Sequence, residues 1–402
     1  MTDAAVMTSQ TPSQTSSQTL GSLNAASLDK TLIALAAGGT GGHMFPAEAL
    51  AHELVTRGHP VMVLTDRRGE TFADAAGGVE AHRIRSSTMK PGLIGKIRTA
   101  IDLFVGYRQA TRLFRQRRPA ALVGFGGYPS APPVAAAGRI GIPVLLHEQN
   151  AVLGRANRML ARWASHLATG IALVGPAPSH LSGRTTLTGN PVRSAIAALA
   201  DRGYAAPAQD GPVELLVLGG SQGARIFSEI VPDALTRLPL SLRRRLRVSQ
   251  QCRPEDLEAA GQRYDGSGIE TDLSSFFTDV PDRLARAHLV ICRAGASTVA
   301  EITAAGRPSI LVPYPYAMDD HQSANATALD SHGAGWMTPQ GEFTAAALAD
   351  RLIGMLDGDA DALDRAAAAS RELGRRDAAA RLADLVETLT QETAPSGREA
   401  SA

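Results

Sequence analysis

The stretch LIALAAGGTGGH, Leu32–His43, decides how the chain is read. From Thr31 to Ala37 it is an apolar run of strand length, and then it becomes a glycine-rich turn. Glycines let the backbone come close to a ligand, and a helix opening behind them offers free N–H groups and a positive dipole end to an anion. A helix is predicted from Pro46, favourable at a first helical position, to Gly58, a good C-terminal cap. Its Ala47, Leu50, Ala51, Leu54 and Val55 keep helical spacing. About 180 residues later ELLVLGGSQGAR, Glu214–Arg225, repeats the design of strand, glycine loop and helix. Between and beyond them lie further strand-like runs: Pro60–Thr65, Ala120–Gly124, Pro143–Leu146, Leu289–Cys292 and Pro308–Val312. Strands alternating with helical patterns predict parallel sheets covered by helices. The fold class is therefore α/β, with two Rossmann-like doubly wound domains meeting near Gly189-Asn190-Pro191. The segment Ala197–Gly211 reads as a surface excursion.

Composition agrees with this and excludes other classes. The chain has 402 residues, 44% hydrophobic and 20% charged, as in ordinary globular proteins. A net charge of +1 argues against a nucleic-acid partner. Cys252 and Cys292 stand far apart, in no metal-ligand spacing, so neither a disulfide framework nor a zinc site is expected. No apolar run approaches the ~18 residues of a membrane span. Residues 1–28 are mostly Ser, Thr, Gln and Ala and read as a disordered tail without a signal peptide; residues 391–402 read likewise.

The loops can hold a nucleotide. Gly38–His43 has neither the GxGxxG spacing of nicotinamide enzymes nor a Walker lysine. Two glycine loops at matching positions of two domains, each at the carboxyl end of its strand, predict a ligand cleft. A third turn, CRAGASTVAE (Cys292–Glu301), also follows a strand. The N–H groups of Ser297 and Thr298 could carry a pyrophosphate, and Glu301 could accept both hydroxyls of a ribose. Thr298-x-x-Glu301 also fits a capping box, which leaves that glutamate two readings.

These segments together resemble the MurG family of glycosyltransferases. The matching residues are GGTGGHMFPA (38–47), GFGGYPS (124–130), IPVLLHEQN (142–150), TGNPVR (188–193), GGSQGAR (219–225), CRAGASTVAE (292–301) and MDDHQSANA (318–326). The resemblance implies a GT-B fold: two Rossmann-like domains facing across a cleft. It implies an N-terminal acceptor and membrane-facing domain over 29–190 and a C-terminal donor domain over 191–368. A last helix, 369–390, would return to the N-terminal domain. It further implies transfer of N-acetylglucosamine from UDP-GlcNAc to a lipid-linked muramyl-peptide, at the cytoplasmic face of the cell membrane. Cell-wall and division proteins are the partners it suggests, and no cofactor or metal is called for. On the donor side it points to Arg193, Ser221, Phe277, Ala296, Ser297, Thr298, Val299, Ala300, Glu301, His321 and Gln322. Thr40, Gly41, Gly42 and Asn150 would close over the donor sugar from the other domain. Gly39 and Tyr128 would take the acceptor.

The implied reaction is an inverting single displacement, which needs a general base and stabilisation of the leaving diphosphate. His43 and Glu148 are the candidate bases; His147 reads as structural. Asp357-Gly-Asp359-Ala-Asp361 has a metal-binding pattern but sits between helices, where capping and turn formation explain it better. From Arg83 to Arg118 the chain is strongly basic, with Asp102 the only acid and Met89, Leu93, Ile94, Ile97, Ile101, Phe104 and Val105 interleaved. Ile97, Ile101 and Phe104 share a stripe expected to pack on the sheet, while the basic surface suits an anionic membrane. Two rivals remain at this stage: a UDP-GlcNAc 2-epimerase of the same architecture, and a sugar-nucleotide-binding regulator without turnover.

Overall fold

The computed structural model describes residues 30–39, 41–66, 78–88, 91–220, 223–359 and 361–393. The expected tail 1–28, Thr40, Ser221, Met89 and residues 394–402 lie outside the described residues. The first sheet is parallel throughout: β1 (Ile33–Ala36), β2 (Val61–Thr65), β3 (Val79–Arg83), β4 (Ala121–Gly124), β5 (Val144–Glu148), β6 (His166–Thr169) and β7 (Thr185–Leu187). Their order is β3-β2-β1-β4-β5-β6-β7. A second parallel sheet repeats the winding with β8 (Val213–Leu218), β9 (Leu246–Gln251), β10 (Glu270–Ser274), β11 (Leu289–Cys292), β12 (Ser309–Leu311) and β13 (Gly335–Met337). Its order is β10-β9-β8-β11-β12-β13. In both sheets the strand order reverses beside the strand that carries a glycine loop, where open α/β sheets bind ligands.

The helices used below are α1 (Gly41–Thr56), α2 (Leu93–Arg117), α3 (Gly127–Ile140), α4 (Arg155–Leu160), α5 (Arg225–Leu235), α6 (Ala296–Ala304), α7 (His321–Asp330), α8 (Ala362–Leu373) and α9 (Ala378–Thr393). The central strands β1, β2 and β4 are buried along their whole length because both faces are covered. On one face Leu50 and Leu54 of α1 meet Leu382, Val386 and Leu389 of α9, so the end of the chain completes the first core. Arg57 anchors that helix by donating to Asp384 at 2.6 Å, to Glu387 at 3.0 Å and to the Ala380 carbonyl at 3.1 Å. The opposite face is filled by Phe114 of α2 and Val134 and Ala137 of α3.

Four readings need correction. Helix α1 begins at Gly41, not Pro46, so the glycine turn becomes the first turn of the helix. Pro46 is then internal, where its missing N–H leaves the Gly42 carbonyl without an intrahelical partner. The stripe Ile97, Ile101, Phe104 does not pack on the sheet; these side chains are 51%, 53% and 61% exposed. Helix α2 is docked instead through Thr99, Gly106, Ala110 and Phe114, with Gly106 so close to the Arg85 carbonyl that no Cβ would fit. In the segment 197–211, Leu199 is buried in the second domain's core and Tyr204 donates to the His288 carbonyl at 2.9 Å, so this stretch is partly core. Finally, the chain over 362–393 forms two helices, broken at Gly374 against the Thr303 carbonyl, and α9 runs through Thr393 rather than stopping at 390.

Candidate active site

The carboxyl ends of the two sheets meet at a seam, and each wall of it is built by loops that follow strands. On the N-terminal wall β1 ends in Gly38 and Gly39. Gly39 has φ 88°, in the left-handed region, and a Cβ there would lie 3.6 Å from the Tyr128 ring. The Tyr128 hydroxyl donates to Asp66 Oδ2 at 3.1 Å, which ties the loop after β4 to the end of β2. His43, half-buried in the first turn of α1, has Nδ1 3.1 Å from Gln149 Oε1. Burial holds the His43 ring below its ordinary pKa of 6.5, against the opposing pull of Gln149, Glu148 and the Phe125 carbonyl. The ring is therefore neutral at pH 7.

The loop after β5 is tied together by one carboxylate. Glu148 is 2% exposed. Its Oε1 accepts from Asn150 N and Asn150 Nδ2, both at 3.1 Å; its Oε2 accepts from Gly154 N at 2.9 Å and Asn157 Nδ2 at 2.8 Å. Both oxygens are thus fully engaged. His147, the residue before Glu148 and so on the opposite face of the strand, lies tilted on Phe125 with ring centroids 5.4 Å apart.

The C-terminal wall has a different character. Helix α6 follows Gly295, which offers no side-chain cap, so its first N–H groups lack a capping partner. Ser297 Oγ is buried and without a hydrogen-bond partner among the described residues. Glu301 does not close a capping box: its Oε1 accepts from Arg193 Nε at 3.1 Å and Nη2 at 2.9 Å. Burial pushes the Glu301 carboxyl above its ordinary value, partly offset by Arg193. The Arg193 guanidinium also sits 5.5 Å from the Phe45 ring of α1, across the seam. At the head of α7, His321 Nδ1 is 2.7 Å from the Met318 carbonyl and Gln322 Oε1 accepts from Tyr314 N at 2.9 Å. Asp319 and Asp320, just before it, both have φ 52°, a strained conformation for non-glycine residues. Arg155 of α4 holds Asp319 from the other wall, with Nε at 3.1 Å and Nη2 at 2.8 Å.

Asn325 stitches the walls together. It is fully buried, accepts from Ala151 N at 2.8 Å, and donates to Asn150 Oδ1 at 3.1 Å and the Ala294 carbonyl at 3.0 Å. Asn190 adds a second stitch, donating to the Gln149 carbonyl at 2.8 Å and reaching the Ala296 carbonyl at 3.4 Å.

Comparison with known proteins decides the family. The N-terminal domain model of glycosyltransferase family 28 matches residues 33–169, and the C-terminal domain model of the same family matches 214–384. The chain belongs to glycosyltransferase family 28. A UDP-N-acetylglucosamine--N-acetylmuramyl-(pentapeptide) pyrophosphoryl-undecaprenol N-acetylglucosamine transferase from Rhodospirillum centenum is 57% identical over 88% of this chain and 93% of its own length. The crystal structure of MurG from Acinetobacter baumannii superposes with a TM-score of 0.70 at 30% identity, covering 89% of this chain and 99% of that one. A putative UDP-N-acetylglucosamine 2-epimerase from Listeria monocytogenes superposes at 0.65 but is only 14% identical over 91% of this chain and 98% of that one, a likeness of fold alone.

In this family-28 chain the expected residues fall on the two walls. Gly39, Gly41, Gly42, His43, Tyr128, Glu148 and Asn150 belong to the N-terminal wall; Arg193, the turn Ala296 to Glu301, His321 and Gln322 belong to the other, with the Val299 side chain turned into the second domain's core. The Phe277 side chain is buried, with the Arg283 guanidinium 3.9 Å from its ring, while the neighbouring Phe276 is exposed. Arg283 is fixed there by Asp272 at 2.6 Å and Asp279 at 2.8 Å. The acidic run near Asp359 makes turn contacts, with Asp361 N donating to Asp359 Oδ1 at 3.2 Å. Reading the sequence missed Asp66, Gln149, Asn190 and Asn325. Asn325 carried a usable signal, since it lies three residues after Gln322 on the same helix face. Asp66 carried none, and the TGNPVR motif that holds Asn190 does not show its reach to Gln149 and Ala296; only the fold brings both to the seam.

Proposed function

We propose that this chain transfers N-acetylglucosamine from UDP-GlcNAc to a lipid-linked N-acetylmuramyl-pentapeptide with inversion, forming the disaccharide lipid of peptidoglycan synthesis. The observation that carries the proposal is the opposition of the walls: a neutral histidine at the head of α1 across from a helix N-terminus with unmatched donors. The acceptor binds over Gly39 and Tyr128. His43 takes the proton of its attacking hydroxyl as that oxygen bonds to the anomeric carbon and the bond to UDP breaks. The departing diphosphate collects charge where the N–H groups of Ala296, Ser297 and Thr298, with Arg193 and Ser221, can receive it. Val299 and Ala300 carry that turn into the helix. Glu301 holds the ribose, the backbone at Phe277 meets the uracil, and His321 and Gln322 read the sugar hydroxyls. Thr40, Gly41, Gly42 and Asn150 cover the sugar from the other wall. Glu148, whose lone pairs are already used, organises the loop and is not the base.

The acceptor's lipid sets a place for the enzyme. Among the described residues no helix is long and apolar enough to cross a membrane. Helix α2 instead exposes Leu93, Ile94, Ile97, Ile101 and Phe104 beside Lys96, Arg98, Arg108, Arg112 and Arg115. Such a face suits shallow insertion into an anionic leaflet, each basic residue adding ~1 kcal/mol. The protein is then peripheral, on the cytoplasmic side of the cell membrane.

The decisive assay supplies UDP-GlcNAc with and without the lipid-linked muramyl-peptide. Disaccharide formation with matching UDP release, only when acceptor is present, is expected. An epimerised sugar nucleotide, or binding without turnover, overturns the proposal. Replacing Ile97, Ile101 and Phe104 by Ser should release the protein from anionic vesicles and slow transfer to a long-chain acceptor while sparing a short-chain one.

A further inference from the structure

A chain of hydrogen bonds runs from His43 to the linker between the two sheets, and the position of each proton along it can be deduced. The Gly189 carbonyl can only accept, so His147 Nε2, 3.2 Å away, carries hydrogen. His147 is fully buried and burial pushes it down to about 4, so the ring is neutral and its Nδ1 is a bare acceptor. Facing that Nδ1 at 3.0 Å is the side-chain amide of Gln149. The same end of the amide lies 3.0 Å from the Phe125 carbonyl and 3.1 Å from the His147 carbonyl. All three neighbours are acceptors, so only the amide nitrogen can face them. The amide oxygen must then point the other way, to His43 Nδ1 at 3.1 Å. An amide oxygen only accepts, so His43 Nδ1 carries the hydrogen and the lone pair sits on Nε2.

We infer that Gln149 is a positioning residue, which locks neutral His43 as the Nδ1–H tautomer with Nε2 as the proton acceptor and anchors that choice, through His147, to the linker carbonyl of Gly189. The inference rests on the reading of His43 as the base. The Nε2 edge of the His43 ring borders Gly127, where a Cβ would come within 3.3 Å of it. Gln149 is itself 2% exposed, so it has little freedom to turn. Its main-chain carbonyl is held by Asn190, which also touches Ala296 at the head of α6, so the same residue answers to the donor wall. An amide at this place fixes the tautomer without adding a negative charge beside the base. The ionisable groups facing His43 are Glu148, which raises its pKa, and His321, which lowers it; His43 in turn lowers the pKa of His147.

The test is 15N NMR of histidine-labelled full-length protein near pH 8, with the His43 and His147 signals assigned by their loss in His43→Gln and His147→Gln. A protonated Nδ1 and bare Nε2 at His43, with the opposite tautomer at His147, is expected; any other assignment at either ring overturns the inference. Gln149→Leu should release His43 into a mixture of tautomers and lower turnover on the order of tenfold or more, with UDP affinity unchanged. Gln149→Glu should keep the Nδ1–H tautomer and move the acid limb of the turnover profile upward in pH. A Gln149→Leu protein with a single Nδ1–H tautomer and parental turnover overturns the inference. If that variant does not fold, the parental spectrum still decides. If the tautomers are as stated but His43→Gln turns over normally, the inference about the lock stands and the reading of His43 as base falls.

Discussion

The two walls of the seam are made from the same parts and finished differently. On the N-terminal wall nearly every polar group already has its match: Glu148 accepts from Asn150, Gly154 and Asn157, and Gln149 engages His43, Phe125 and His147. Among the described residues the exceptions are Asn157 Oδ1, Thr65 Oγ1 at the end of β2 and Asn190 Oδ1 at the linker. On the C-terminal wall Ser297 Oγ is buried without a partner among the described residues, α6 begins uncapped, and Glu301 meets Arg193 through one oxygen. Buried polar groups left unmatched in a folded protein call for an explanation. Under the proposed function, a bound nucleotide would supply it. On that reading one wall is matched before substrate arrives, and the other would be completed by the nucleotide.

The largest effect that can test this contrast is on turnover. His43→Ala should lower turnover by ~10²–10⁴-fold, the usual contribution of a general base, and leave UDP affinity unchanged. Equal losses of rate and donor affinity would make His43 a donor ligand and erase the division between walls. The sign of the pH dependence follows from burial. As the proposed base His43 would work as the neutral ring, and its pKa is lowered, so turnover should hold to below pH 6.5 before it falls. A limb at higher pH would mean that Glu148 dominates the ring's environment.

Much of this was legible beforehand, and the exceptions share a cause. The strands β1, β2, β4 and β11 are apolar runs, β8 is one broken only by Glu214, and all five are legible to within a residue or two. Edge strands such as β3 (VEAHR) and β10 (ETDLS) carry no such signal, because one side faces solvent and the pairing is set by neighbours distant in sequence. The orientation of α2 was misjudged for a related reason. Large apolar residues drew attention to Ile97, Ile101 and Phe104, yet the docking face is built on Gly106 and Ala110, where small size permits close approach. Within the seam, residues in strand-loop motifs were identified, whereas Asp66 and Asn190 act through contacts with residues 62 and 106 positions away.

Glu148→Gln tests the claim that the N-terminal wall is prebuilt. The amide brings an NH₂ group against donors from Asn150, Gly154 and Asn157, and removes a charge-assisted acceptor worth about 1.5–3 kcal/mol. A lowered melting temperature is expected, with the folded fraction still turning over. A normal melt with turnover down a hundredfold would make Glu148 a base after all and break the comparison.

Glu301→Ala addresses the other wall, where loss should fall on the ligand. UDP binding should weaken by ~1–3 kcal/mol, for a lost pair of charge-assisted hydrogen bonds. Stability should change less, because removing the carboxylate also removes the cost of burying it. Loss of stability with normal UDP affinity in the folded fraction would make Glu301 only a clamp for Arg193.

Ser297→Ala should have the smallest effect and gives the cleanest reading. Among the described residues nothing bonds the buried Ser297 hydroxyl. Deleting it removes an unmet polar group, so the melting temperature should stay level or rise slightly. If the diphosphate is the missing partner, UDP affinity should fall by about 0.5–1.5 kcal/mol, a factor of a few to about ten, while the neighbouring N–H groups of α6 keep most of the binding. Stability and affinity would then move in opposite directions, which a purely structural serine cannot produce. A destabilised variant with parental UDP affinity would mean that Ser297 serves the fold, and that the C-terminal wall is as finished as the other.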